Sequence, residues 1–335
     1  MIDISSIQYD VELVIEDGTR YLLNAALISQ LQWEEQLNEL AQRATLTVAN
    51  AQIGDSDIIE KAKINCFILI YGKWGEGDKT LLFEGAIWEW QYTSAANQEL
   101  TITAYDHMIR LQGSKTFKYY SAGMTTQAII GDVCDELGIP LAYKWGESIT
   151  HEKKIYSGTV ISDIIIELLE EVHKKTKKEY IIYYRDSQVQ IVDYGSNGTV
   201  YLFDTLNTIS THNKLTMNDL VTRVKIIGKQ NNDERAPVDE TVDGETRFGI
   251  FQEIVRRDEN KTLDAIKAEA ETIIKDHGKP DELIQLTVPD LPFLRKGDKI
   301  DVSAGNLMGF FYVEGVSHFA TARQMSLTLS RVENG

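Results

Sequence analysis

The 335-residue chain has only five prolines and no low-complexity tract. Disordered segments are usually poor in apolar side chains, whereas this chain is 43% hydrophobic and 9% aromatic. We therefore expect it to be folded throughout. Because the length is large for a single core, we expect two or three domains that are joined directly.

Cysteines and long apolar runs are scarce as well. Cys66 and Cys134 fall in an apolar strand pattern and an apolar helix pattern, outside any CxxC or Cys/His spacing, so both should be buried and free. No run approaches the about 18 apolar residues of a membrane span. The first ten residues carry acids where a signal peptide carries a basic segment. We expect synthesis and folding in the cytoplasm, without membrane insertion.

Positive charge is in deficit, with 34 basic against 51 acidic residues and a formal net charge of −17. Such a chain repels phosphate backbones, so we expect no specific nucleic-acid binding. The longest basic cluster lies between Lys174 and Lys178, at the expected end of a helix, where lysines complement the helix dipole. An acidic surface can still line a channel through which nucleic acid passes without sticking.

Catalytic motifs are missing. Residues 315–319 read Gly-Val-Ser-His-Phe and lack the second glycine of a GxSxG elbow. The glycines between residues 72 and 77 have the wrong spacing for GxGxxG, and His151 begins no HExxH motif because residue 155 is Ile. The sequence therefore predicts no enzyme activity and no catalytic residues.

Metal and cofactor motifs are missing too. Asp55 and Asp57 are followed by no glycine or distal glutamate at calcium-loop spacing. The six histidines are scattered, which indicates local hydrogen bonding or surface positions more than a ligand set. We expect no cofactor-binding residues, no metal site and no cofactor.

The first third of the chain is expected to be all β. Residues 9–15 alternate, Asp17 and Gly18 give a turn signal, and residues 21–28 resume the alternation, which predicts a hairpin. Further strands are predicted at residues 44–48, 64–71, 80–92 and 99–104. Strands of this number and length make a small barrel or sandwich, which gives a first module of residues 1–112.

Helical periodicity begins in the middle of the chain. The predicted elements are helices at residues 125–137 and 162–174 and a hairpin of residues 180–184 and 188–192. Gly138 ends the first helix, and Ser162 is the expected N-cap of the second. These elements make an α/β module of residues 113–197.

The rest of the chain returns to β with one helix, from Lys261 to His277. The predicted strands are residues 220–228, 249–255, 283–288, 299–303, 310–316 and 324–332. Residues 229–247 are rich in charge and predict an exposed loop. The third module, residues 198–335, is a second β-barrel, so the fold class is α+β and mainly β: two small β-barrel modules separated by an α/β module.

Two pairs of residues near the end of the first module have open roles. Asp106 is expected to cap the following turn, with Tyr105 packed beneath it, in preference to a catalytic role. Trp88 and Trp90 alternate along a strand and are expected to share one face. They are either core residues or an aromatic anchor at a subunit interface.

Three segments, taken together, resemble the baseplate hub proteins of contractile phage tails and phage-tail-like bacteriocins. The type is XkdQ/YqbQ, related to late control protein D. The first segment is residues 83–85 and the strand that leads through residues 100–106 to Leu111, and the second is residues 125–140. The third is made up of residues 220–229, 248–255, the helix to Lys279, residues 296–298 and the last strands with Val316 and His318.

The resemblance implies a structural hub protein. In that family the hub is a homotrimeric ring that adapts the sixfold tail tube to the threefold central spike and lines the central channel. The implied partners are the tail tube protein and the spike, with the tape measure protein and LysM-containing baseplate proteins as further candidates. The implied location is the baseplate of a phage virion or a phage-tail-like particle, after synthesis in the bacterial cytoplasm.

Two other classes of function compete with this one. A tail-associated protein that binds or degrades cell walls is the first alternative, because some tail hubs carry a lysozyme or peptidase domain. The second is a monomeric ligand-binding protein, for which the sequence offers no pocket signature.

Overall fold

A computed structural model describes residues 6–36, 39–75, 77–94, 98–147, 149–228, 236–257 and 262–332. The strands are β1 Ile7–Val14, β2 Arg20–Leu22, β3 Ile28–Glu35, β4 Arg43–Ala49, β5 Gln52–Ile53, β6 Ser56–Asp57, β7 Phe67–Trp74, β8 Thr80–Thr93, β9 Glu99–Tyr105, β10 Lys115–Tyr120, β11 Leu141–Lys144, β12 Lys154–Val160, β13 Tyr180–Arg185, β14 Gln188–Asp193, β15 Tyr201–Asp204, β16 Ser210–Thr216, β17 Arg223–Ile227, β18 Val238–Asp243, β19 Gln252–Arg256, β20 Asp281–Pro289, β21 Lys299–Ala304, β22 Leu307–Phe319 and β23 Gln324–Arg331. The helices are α1 Ile58–Lys61, α2 Ile109–Gly113, α3 Thr126–Glu136, α4 Ile161–Thr176 and α5 Leu263–His277. The chain is mainly β, as the sequence predicts.

By its internal contacts the chain divides into two units. The first combines Met1–Thr211 with Gln285–Gly335, and the second is His212–Ile284. The three-module division, with boundaries after residues 112 and 197, stays a prediction.

The main sheet of the first unit runs in the order β20, β23, β22, β3, β4, β9, β8, β7, β1, β2, with β21 beside β22 and β15 beside β21. Strand β9 shows why these segments form strands. Leu100, Ile102 and Ala104 are buried and alternate with half-buried Thr101 and Thr103. Period-two alternation gives each strand one core face, which here packs around the fully buried Trp33. The expected closed barrels are not found among the described residues.

The predicted strand of residues 21–28 is wrong beyond Leu22. The side chain of Asn24 accepts a hydrogen bond from the backbone N–H of Ala26 at 3.0 Å and starts a 3-10 turn, Ala25–Leu27. Side chains of this type offer the backbone a local partner in place of a neighbouring strand. Strand β3, which the sequence pattern missed, begins directly after the turn.

Helices α3 and α4 share a second core in the first unit, together with the sheet β11–β14–β13 and the two-stranded ribbon β10–β12. Thr125 caps α3 by accepting the N–H of Ala128, and Gly138 follows the helix with a φ of 62°. The prediction of Ser162 as N-cap of α4 is wrong. Strand β12 passes directly into α4 at Val160, and the N–H of Ile161 is bonded to the carbonyl of Ser114 instead.

The second unit has its own small core. Strand β17 lies between antiparallel β18 and parallel β19 and packs on α5 through buried Val224, Ile226, Ile266 and Ala270. Strand β18 corrects the loop predicted at residues 229–247, of which residues 229–235 lie outside the described residues. The many charged residues of this segment suggested a loop. In the structure the strand carries these charges on the surface, where Asp243 pairs with Arg223 and Glu240 pairs with Lys267.

Candidate functional site

An ion pair is buried at the end of β3. The carboxylate of Glu35 accepts hydrogen bonds from Nε of Arg295 at 2.7 Å and from the backbone N–H of Lys296 at 3.1 Å. The two paired side chains are only 17% and 6% exposed. The Arg295 guanidinium also lies 4.6 Å from the ring centroid of Tyr183. A paired, hydrogen-bonded charge of this kind fixes β3 against the loop before β21 and against β13.

Two more charged groups surround this pair. The ammonium of Lys296 donates to the carbonyl oxygens of Gln36 at 3.0 Å and Glu39 at 2.8 Å, and burial lowers the pKa of Lys296. Asp298 accepts the backbone N–H of Arg295 at 2.9 Å, and burial raises the pKa of Asp298 to about 6. Asp106 also interacts electrostatically with Arg295 and Glu35. We call Glu35, Asp106, Arg295, Lys296 and Asp298 the buried charge cluster.

Asp106 caps a turn, as the sequence predicts. Its two carboxylate oxygens accept the backbone N–H groups of Gln42 at 3.1 Å and Met108 at 2.9 Å. Burial raises the pKa of Asp106 to about 7. Tyr105 packs against the core that α3 and α4 share, and its ring makes a T-shaped contact with the ring of Trp88, with centroids 6.2 Å apart. The carboxylate therefore organises backbone between β9 and α2.

One arrangement has the appearance of a catalytic triad. His151 joins the hydroxyl oxygen of Thr126, 2.7 Å from Nε2, to the carboxylate of Glu171, 2.6 Å from Nδ1. Thr126 is fully buried and the imidazole of His151 is 0% exposed, so a substrate has no path to the hydroxyl. Although burial opposes it, hydrogen bonds from Lys154 and His151 hold the pKa of Glu171 below its ordinary value. These contacts join α3 and α4 and carry no sequence signal, because the members lie 20 or more positions apart.

A second buried histidine joins β1, β3 and β22. His318 pairs through Nδ1 with Asp290 at 2.7 Å and through Nε2 with the carbonyl of Leu294 at 3.1 Å. The hydroxyl of Tyr9 donates to the same aspartate, and the ring of Trp33 stacks on the imidazole at 4.7 Å. This network is buried as well and serves to fix the strands.

The two tryptophans of β8 do not share a face. A bulge between Ile87 and Glu89 shifts the register, so that Trp88 is 57% exposed while Trp90 packs against the main core. An extra residue in one strand reverses the alternation beyond it, which explains the wrong prediction. Trp88 is thereby left as a surface residue.

The described residues offer no cluster of metal ligands, and both cysteines are buried. That part of the chain holds no group of three or more His, Cys, Asp and Glu side chains placed to bind a metal ion. Cys66 and Cys134 are buried and free, as expected, and burial raises the pKa of the Cys134 thiol to about 12. The thiol of Cys134 is therefore unreactive at neutral pH.

None of the helices described is both long enough and apolar enough to cross a bilayer.

The fold is that of phage tail proteins. A tail protein from Neisseria meningitidis has a TM-score of 0.69 at 12% identity, over 96% of this chain and 96% of that one. The 43 kDa tail protein of prophage MuSo2 from Shewanella oneidensis has a TM-score of 0.70 at 13% identity, over 97% and 98%. An Escherichia coli component of the type VI secretion system, described as similar to tail proteins gp27 and gp5 of bacteriophage T4, has a TM-score of 0.57 at 12% identity, over 97% and 77%.

Residues 31–330 match the YqbQ-like family. The chain belongs to this family, which confirms the resemblance seen in the sequence. A comparison with curated proteins finds no match.

Proposed function

We propose that this protein is a structural baseplate hub subunit of a contractile tail. Three copies form a ring that adapts the sixfold tail tube to the threefold central spike and lines the central channel. The protein works by binding its neighbours and catalyses no reaction. Its partners are further copies of itself, the tube protein and the spike protein.

The observation that carries this proposal is the extent of the likeness to tail proteins. The fold of the Neisseria and Shewanella tail proteins is followed over 96% or more of this chain and of each of theirs. The family match covers residues 31–330.

The net charge of −17 fits the channel part of the proposal. Negative walls repel the phosphates of a passing nucleic acid and keep it from sticking. The proposal does not need base-specific or tight contacts to nucleic acid.

The proposal is tested by mixing the purified protein with assembled tail-tube protein and with the trimeric spike protein, followed by sedimentation. We expect it to co-sediment with tubes and to form a complex with spike trimers. A cell-wall hydrolysis assay on the same sample is expected to be negative. Absence of binding to both partners, or clearing of cell walls, would contradict the proposal.

A further inference from the structure

Strands β10 and β12 form a ribbon with an exposed apolar outer face. In their antiparallel register Tyr119 lies opposite Ile155, and Phe117 lies opposite Ser157. Phe117 is 77% exposed, Tyr119 59% and Ile155 60%. The inner face of the ribbon carries buried Tyr156, so the outer face is not needed for the core of the unit.

The same face of the ribbon is positively charged. The exposed–buried alternation of β10 puts Lys115 on the side of the aromatic rings, and the ammonium of Lys153 lies 5.4 Å from the ring centroid of Tyr119. Two other lysines of the ribbon, Lys118 and Lys154, pair with carboxylates of α3 and α4. One exposed carboxylate, Glu152, adjoins Lys153 in the chain. We call Lys115, Phe117, Tyr119, Lys153 and Ile155 the ribbon patch.

An open groove of about 530 Å³ is lined by α4 and β13. Its floor is apolar and includes Ile166 and Leu169 of α4 and Ile182 of β13. Ile166 is 43% exposed, whereas the apolar stripe of the same helix is buried in the core. A volume of this size lies in the range of about 300–1,000 Å³ that holds bound groups in proteins.

The rim of this groove is acidic. Four carboxylate side chains line it: Glu39, Glu170, Glu179 and Glu314. Two basic groups line it too, but the ammonium of Lys296 is bonded to two backbone carbonyls, and His173 lies 3.7 Å from Glu179. We call this surface the acidic groove; it favours an occupant that is apolar at the centre and positive at the edge.

We propose that the ribbon patch of one copy binds in the acidic groove of the next copy and that this contact closes the ring. The inference deepens the proposed function and depends on it for the ring. Exposed rings of Phe117 and Tyr119 would enter the apolar floor, and the two patch lysines would face the rim carboxylates. The two surfaces share no residue, so the contact is head-to-tail. Contacts of that kind build rings when the rotation between copies closes, whereas a self-paired surface builds twofold dimers.

Charge reversal tests the contact on the full-length chain. One variant carries Lys115→Glu and Lys153→Glu, a second carries Glu170→Lys and Glu179→Lys, and a third carries all four changes. All four side chains are exposed, so the fold should be kept, which circular dichroism checks. The quadruple variant, with all four changes, retains the wild-type net charge. A control with Glu16→Lys and Glu60→Lys makes the same charge change as the second variant at exposed sites away from the groove.

Self-association is then measured by sedimentation velocity over a concentration series. Each double variant places like charges across the contact, so we expect its self-association to be weaker by at least about tenfold. The quadruple variant restores opposite charges across the contact and should associate like wild type. The control variant with Glu16→Lys and Glu60→Lys should associate like wild type as well.

Two outcomes would overturn the contact. If wild type associates and both double variants associate equally well, this contact is wrong and the proposed ring forms through another surface. If wild type stays monomeric throughout, the contact is also wrong, and the tube and spike binding assay decides separately on the proposed function.

Discussion

At the residue scale, the buried charge cluster connects segments that are far apart in the chain. Arg295 and Glu35 are separated by 260 positions and meet in a site that is largely buried. Removing one partner of such a pair leaves the other charge buried and unpaired, which is much more costly than losing an exposed pair.

Replacing Arg295 with Met is therefore expected to destabilise the protein by about 3–5 kcal/mol. The matched control is Arg20→Met, which breaks the exposed pair with Glu12 and should change stability little. Urea denaturation followed by tryptophan fluorescence measures both. Similar midpoints for the two variants would show that the buried pair has no special role.

Asp106 gives stability a defined pH dependence. Burial raises its pKa to about 7, so the folded chain holds this proton at a pH where the unfolded chain has lost it. Raising the pH from about 4 to about 7 thus lowers the free energy of unfolding, by up to about 1.4 kcal/mol per pH unit for one proton. Asp298, with its pKa raised to about 6, acts in the same direction.

The variant Asp106→Asn cannot titrate at this position. Between pH 5 and 7, wild type should lose free energy of unfolding relative to the variant, and the difference should level off above pH 8. Denaturation curves at each pH give the difference directly. Parallel curves across the range would rule out a raised pKa at Asp106.

Only part of this residue-scale structure could be predicted from the sequence. The cap formed by Asp106 is local, two residues from the N–H of Met108, and the pattern of a strand that changes to a helix revealed it. Glu35, the partner of Arg295, lies 260 positions away in the chain, and Leu294, a partner of His318, lies 24 positions away. Spacing along the chain carries no signal for contacts of that range.

At the element scale, helices begin where a side chain or a preceding strand satisfies their first N–H groups. Thr125 does so for α3, and Thr125→Ala is expected to cost about 1 kcal/mol of stability. Ser162→Ala is the matched control at α4, where the N-cap is Val160 and its side chain forms no cap bond. Chemical denaturation compares the two. Equal losses would mean that the cap bond at Thr125 is without effect.

The bulge in β8 leaves Trp88 exposed, which gives a second prediction at this scale when Trp88 is compared with the buried Trp33 of β3. Trp33 is 1% exposed, so Trp33→Ala should destabilise the protein by about 3–5 kcal/mol. Trp88 is 57% exposed, and Trp88→Ala should stay within about 0.5 kcal/mol of wild type. Thermal or urea unfolding measures both changes. A large loss at Trp88 would show that its ring belongs to the core.

Elements with strong periodicity were predictable and irregular ones were not. Helices α3 and α5 and strands β9 and β23 follow the predicted positions because their apolar residues recur at regular spacing. Strand β18 was missed because its charged side chains lie on the surface and pair there. The acidic groove was missed because it combines residues from several elements, which periodicity cannot bring together.

At the whole-molecule scale, fold and family agree on a tail protein. The family match and the two tail-protein structures extend over nearly the whole chain. Assembly is then the property on which the proposed function depends. A hub that adapts sixfold to threefold symmetry must form a closed ring of three copies.

The most direct test of that claim is the molar mass in solution, measured by light scattering across a concentration series, alone and with the spike and tube proteins. We predict a species of three times the 37.9 kDa chain mass, either alone or, after the partner masses are subtracted, in the complex. A mass that stays at one chain under every condition, with both partners present, would contradict the account.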